Sequence, residues 1–190
     1  MFELLPPDFA SPKSVKLCES HNHAVAQLEA SRAETERAAE TLRKINPFET
    51  DAADVEAMSA EIRRARYEAL KTEIGLCQER LEILAALEID RAAAQQAAAE
   101  TLDQSRRTVR AGLAELGYET WLSNRNTTVK NELSILVDSA SPCNAAARRL
   151  ADVRDKSGAL VAEVVETRRK LSELSEKLRK AVQDASAVLI

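Results

Sequence analysis

The chain has 190 residues, of which 45% are hydrophobic, 31% are charged and only 3% are aromatic, and its net charge is −4. So few large side chains exclude a thick globular core, and the acidic balance argues against a general nucleic-acid-binding protein, which needs excess positive charge. A chain dominated by Ala, Glu, Lys, Leu and Arg is instead typical of long helices and coiled coils.

The first ten residues predict an extended arm that docks against another surface. They contain Pro6-Pro7 and four bulky apolar side chains, namely Phe2, Leu4, Leu5 and Phe9. The arm has no basic region and no long apolar run, so we expect no signal peptide and synthesis in the cytoplasm. No stretch of the chain approaches the roughly 18 apolar residues of a membrane span, so no membrane partner is expected.

The first helix is predicted over residues 12–45. Ser11 is a good N-cap and Pro12 suits the first helical position, whereas Asn46-Pro47 stops the helix. Its apolar seam is sparse, because about half of its positions are small or polar. The seam is predicted at Leu17, His21, Ala24, Leu28, Ser31, Thr35, Ala38, Leu42 and Ile45.

A very long central helix is predicted over 51–117, ending at Gly117, a natural C-terminal cap. Its apolar stripe is narrow at the start and broad between Ile74 and Ile89, so the middle of the helix should have two neighbours. The stretch 92–100 offers mostly alanine, which allows another helix to approach closely.

The last helix is predicted over 142–190, beginning at Ser141-Pro142. Its seam alternates in steps of three and four through about six heptads, which indicates coiled-coil packing. A short amphipathic helix is predicted over 128–139, although the apolar run SILV within it also suits a short strand. The seam of the last helix comprises Leu150, Val153, Ser157, Leu160, Val164, Thr167, Leu171, Leu174, Leu178, Ala181, Ala185 and Val188.

Short links make consecutive helices antiparallel neighbours. We therefore expect an all-α fold with one domain over 11–190, an elongated antiparallel hairpin or three-helix coiled-coil rod. Residue counting places the C-terminus level with about residue 67 and the start of the first helix level with about residue 84. The three helices would overlap between these levels, and the alanine-rich stretch would face Val161, Val164 and Val165. Pairing of the same seams between two chains stays open.

The sequence contains no recognisable catalytic motif, and four glycines are too few for a phosphate-binding loop. Cys18 and His21 share a helix face, and counting places Cys18 near Cys77. The favoured interpretation is that these residues simply pack in the core. The alternatives are a Cys18–Cys77 disulfide or a zinc site that also uses His21. Cys143, in the first turn of the last helix, is a candidate for a crosslink between chains. We expect no enzyme and no cofactor.

These features predict a non-enzymatic structural protein, a coiled-coil rod built into a homo-oligomer or larger complex such as a virion or similar particle. The alternative is an adaptor that holds a partner protein with the segment 118–141, which contains the only tryptophan. The candidate interaction residues are apolar side chains of the two ends and of this segment: Phe2, Leu4, Leu5, Phe9, Tyr118, Trp121, Leu122, Val188, Leu189 and Ile190.

Overall fold

The structure is a computed structural model that describes residues 3–45, 51–115 and 142–187, with only the backbone at 112–115 and 184–187. Its described elements are helix α1 (Pro12–Lys44), helix α2 (Ala52–Glu115) and helix α3 (Pro142–Ala187). The long central helix α2 packs against the other two, which confirms the predicted all-α class. The predicted helix over 128–139 lies outside the described residues. In the described ranges, no helix is both long and apolar enough to cross a membrane.

Helix α1 begins where the Ser-Pro signal predicts. The Ser11 hydroxyl accepts a hydrogen bond from the backbone N–H of Ser14 at 3.3 Å, and Pro12 occupies the first turn. An N-cap of this kind satisfies one of the backbone donors that a helix start leaves unpaired. At the other end, Arg43 and Lys44 lie in the last turn, where the helix dipole favours positive charge.

The N-terminal arm docks on α1 of its own chain. The backbone N–H of Leu4 donates to the Asn22 side-chain oxygen at 2.8 Å, and the Asn22 amide donates to the Leu4 carbonyl at 3.2 Å. Leu4 is only 5% exposed, whereas Leu5 is 78% exposed. Successive side chains of an extended segment point in opposite directions. The two hydrogen bonds that hold Leu4 against Asn22 therefore leave the Leu5 side chain pointing outward.

The predicted seam of α1 is partly wrong. Ser31 and Ala38 are exposed, and the positions one residue later in each heptad lie inward instead. His21 and Leu28 are buried as predicted. The predicted seam is therefore displaced by one residue at every second position. The cause is that alanine and serine differ little in hydrophobicity and size, so the sequence does not show clearly which of them faces inward. The buried residues of α1 are Ser14, Cys18, His21, Val25, Leu28 and Ala39.

The chain forms two compact units. The first comprises Met1–Leu87 and Ala162–Ile190, and within it α1, the first part of α2 and the last part of α3 lie together. Its apolar core includes a cluster of Val25, Leu28 and Leu76. The broad apolar stripe predicted for α2 supplies the largest fully buried aliphatic side chains, Ile83, Leu84 and Leu87.

The second unit comprises Glu88–Val161. Its described core is thinner, because α2 and α3 contribute mainly small or single aliphatic side chains there. The buried residues are Ala98, Leu102, Ala146 and Val153. Ile89, which the sequence placed in the broad apolar stripe, is 71% exposed.

The seam of α3 is confirmed from Leu150 to Ala181, since every predicted position in that range is buried or half-buried. Its predicted alignment with α2 is wrong. Val161 and Val165, expected against the alanine-rich stretch of α2, are 59% and 62% exposed. Glu163 instead contacts Arg80, so α3 is displaced from the predicted alignment by about two heptads.

The fully buried Leu87 gives a test of the core. Leu87→Ala should lower the free energy of unfolding by about 2–5 kcal/mol, because the deletion leaves a cavity in a packed core. Glu82→Ala on the same helix is the control and should change it by less than about 0.5 kcal/mol, since Glu82 is exposed. Urea unfolding followed by circular dichroism measures both, and equal losses would contradict this description of the core.

Candidate functional site

The most unusual group in the structure is the carboxylate of Glu73, which is buried between three helices. The side chain is only 5% exposed, and Lys170 of α3 approaches one of its oxygens at 3.0 Å. Arg32 of α1 donates a hydrogen bond to the other oxygen. Both cations reach inward from the surface, with side chains 38% exposed for Arg32 and 33% exposed for Lys170. One buried negative charge therefore connects α1, α2 and α3.

A second ion pair joins α2 to α3 two helical turns away. The Arg80 guanidinium, 6% exposed, donates to the Glu163 carboxylate at 2.6 Å. Beside it, Thr167 is buried and its hydroxyl donates to the backbone carbonyl of Glu163 at 2.7 Å. Lys170, Glu163 and Thr167 of α3 are thus paired where they face α2, which is the condition for burying polar groups without a large penalty.

Two further polar contacts join α1 to α2. The Nδ1 atom of His21 lies 3.3 Å from the Glu79 carboxylate. The Arg66 guanidinium holds Glu36 in a forked contact at 2.9 and 3.1 Å. The His21 side chain is completely buried, and its Nε2 atom has no hydrogen-bond partner among the described residues.

A groove of about 290 Å³ runs along the surface between α2 and α3. Three mostly buried side chains, Cys77, Arg80 and Thr167, contribute to its lining, together with charged residues of α3. Those charged residues also pair with one another: Arg169 contacts Glu166 and Glu173, each at 2.5 Å. The groove therefore presents neutralised charge rather than a field of one sign.

The pKa of the Glu73 carboxyl is lower than the ordinary value for glutamate. Burial raises the pKa of this carboxyl, but the hydrogen bonds and positive charges of Arg32 and Lys170 lower it more. Burial dominates at the two inner thiols and raises the pKa of both Cys18 and Cys77. Thiols shifted in this direction are poor nucleophiles and poor metal ligands at neutral pH.

The packing role predicted first for Cys18, His21 and Cys77 stays a prediction, and the structure gives the burial of these residues. Cys18, His21 and Cys77 are all buried, as a polar seam residue and small core residues would be. Within the described residues, none of the three cysteines forms a disulfide. Within the described ranges, no three His, Cys, Asp or Glu side chains are grouped so as to hold a metal ion. Cys143 is half-buried in the first turn of α3, and its crosslink to another chain stays a prediction.

The predicted interaction residues divide into four groups. Leu4 is used within the chain, Phe9 is half-buried, and Leu5 is the candidate that the structure leaves exposed. The others lie outside the described residues, so their proposed roles stay predictions: Phe2, Tyr118, Trp121, Leu122, Val188, Leu189 and Ile190.

Sequence reasoning missed the charged residues that join the helices. Glu73 and Arg80 sit seven residues apart, and Leu87 continues the same spacing, so both charges occupy core positions of a heptad. Arg32 lies seven residues after the buried Val25. A search for charges at core heptad positions, with α1 in the correct phase, would have found them.

Comparison with known proteins finds no matching family model, no matching curated protein and no matching solved structure.

Glu73 is the first residue to test. Glu73→Gln keeps the shape but leaves Arg32 and Lys170 without a counter-charge, so the free energy of unfolding should fall by about 1–3 kcal/mol at pH 7. Because the pKa of Glu73 is lowered by folding, its contribution is fully present above the ordinary value of 4.5 and is lost as the pH falls through the folded-state value. The difference between wild type and variant should shrink accordingly in acid.

The matched control is Glu166→Gln, which removes the same charge from an exposed pair with Arg169 on α3. Exposed pairs contribute little, so this change should cost less than about 0.5 kcal/mol. Urea unfolding of the three proteins between pH 3 and pH 7 gives the comparison. Equal effects of the two substitutions would mean that burial of Glu73 has no energetic consequence.

Replacing His21 should have the opposite effect on stability to replacing Glu73. His21→Leu removes a buried nitrogen without a partner among the described residues, and gives up only a contact with the partly exposed Glu79. The variant should be as stable as wild type or more stable by about 1–3 kcal/mol, the cost of an unsatisfied buried polar atom. Thermal unfolding is the measurement, with Leu28→Ala as the control that must lose stability. A loss comparable to that of the control would contradict this account of Nε2.

Proposed function

We propose that the chain is a non-enzymatic structural protein whose helices assemble into a homo-oligomer or a larger complex. One observation carries the proposal: each unit leaves large apolar side chains exposed that a solvated helix does not require. In the first unit Leu5 is 78% and Val165 62% exposed, and in the second Ile89 is 71% and Val161 59% exposed. Single exposed apolar residues are common, whereas exposed apolar side chains that form a contiguous patch mark sites of interaction with other proteins.

The charged residues that join the helices support the same proposal. Glu73, Arg32, Lys170, Arg80 and Glu163 bind one another across helices, so their chemistry is used to hold helices together. The alternating seam of α3 is of the kind that helical assemblies use. A particle component such as a virion protein is the narrower form of this proposal, and it rests on the apolar character of the two ends of the chain.

The alternative adaptor function rests on Tyr118, Trp121 and Leu122, which lie outside the described residues. Its support is the sequence alone, in which the only tryptophan falls in the link between two long helices. The two functions differ in the mass that they predict for the isolated protein.

Light scattering on a sizing column, with and without reductant, tests the assembly. We expect a defined multimer that persists in reductant, because the exposed apolar side chains need partners and the buried thiols are free. A mass that falls on reduction would instead make the cysteines links between chains. A monomer at all concentrations would overturn the assembly proposal and favour the adaptor.

A further inference from the structure

The apolar seam of α3 repeats every seven residues, so it is compatible with more than one alignment on α2. Sliding α3 by one heptad would bring Leu160 or Leu174 to the place that the buried Thr167 now occupies. A leucine buries more apolar surface than a threonine. The apolar pattern therefore does not select the observed alignment by itself.

Four charged residues do distinguish the alignments. On α2, Glu73 and Arg80 are seven residues apart and almost fully buried. On α3, Glu163 and Lys170 are also seven residues apart, and their order of sign suits a helix running in the opposite direction. In the observed alignment both cross-helix pairs form, Arg80 with Glu163 at 2.6 Å and Glu73 with Lys170 at 3.0 Å.

Each displacement by one heptad brings like charges together at a buried position. Moving α3 one way brings Glu163 to the level of Glu73, and moving it the other way brings Lys170 to the level of Arg80. Either placement removes a counter-charge and adds repulsion where solvent screens poorly. A buried charge without its partner is among the most destabilising defects a helix interface can have.

We propose that Glu73 and Arg80 make this face of α2 a helix-recognition surface, which accepts a partner helix bearing Glu and Lys seven residues apart in one alignment only. In the structure that helix is α3, with Thr167 between its two charges. The inference goes beyond assembly and does not depend on it, because it applies to a single chain.

Reversing the two charges of α3 tests the proposal without changing composition or net charge. In the variant Glu163→Lys with Lys170→Glu, the observed alignment opposes like charges twice, whereas each one-heptad displacement gains an attractive pair. We expect α3 to move by one heptad, about 10 Å along the helix axis. Electron-spin distance measurement between labels at Thr72 and Gln183, both exposed, detects this shift in either direction. Nitroxide-bearing unnatural amino acids avoid labelling the three native cysteines.

The matched control reverses an exposed pair on the same helix, Glu166→Arg with Arg169→Glu. Its label distance should equal that of wild type, because neither charge faces α2 in an ion pair among the described residues. A wild-type distance in the first variant, with wild-type resistance to urea, would overturn the proposal. So would a shifted distance in the control.

A second pair of variants covers the case in which the reversed helix does not fold. Arg80→Glu alone should unfold at a lower urea concentration than wild type, because it opposes Glu163. Adding Glu163→Arg restores opposite charges in the observed alignment, so the double variant should recover resistance to urea and the wild-type label distance. A double variant no more resistant than Arg80→Glu alone would overturn the proposal.

Discussion

The burial of one carboxylate, that of Glu73, constrains how the helices of the first unit are arranged. An ionised carboxylate removed from water is stable only if cations and hydrogen-bond donors replace its hydration. Here the replacements come from two different helices, Arg32 from α1 and Lys170 from α3. Neither helix can move along α2 without removing one of the two cations that pair with this charge, so a single residue of α2 helps to position both of its neighbours.

This constraint matters because the apolar contacts are modest. Among the described residues of the first unit, α3 contributes Leu174 as its one buried aliphatic side chain, and α1 contributes mainly Val25 and Leu28. With few aromatic residues in the chain, the core is held by small and medium side chains that fit several alignments almost equally well. Ion pairs are weaker than apolar burial as a source of stability, but they depend steeply on geometry and therefore give specificity.

This difference between repetitive apolar contacts and specific ion pairs explains which predictions from the sequence were correct and which were wrong. The start of α1 at Ser11-Pro12, the broad stripe of α2 as far as Leu87 and the seam of α3 from Leu150 to Ala181 follow from local rules of capping and periodicity, and the structure confirms them. The predicted stripe was wrong at Ile89, which is exposed. The phase of α1 was wrong at Ser31 and Ala38, where alanine and serine give little contrast. The alignment of α3 was wrong by about two heptads, a whole number of repeats, because the apolar pattern is the same after each heptad. Among the polar residues that join the helices, the sequence identified His21 as a seam residue but did not identify Glu73, Arg80 or Arg32.

The sequence by itself determined the helical class of this protein, where α1 begins and which face of α3 is apolar. These properties depend on residues close together in the chain, so they can be read locally. Only the tertiary structure decided which helix faces lie against one another and at what level, and that Leu4 docks on α1 while Leu5 stays exposed. Those properties depend on pairing between residues that are distant in sequence, such as Glu73 with Lys170, where a few buried charges outweigh a repetitive apolar pattern.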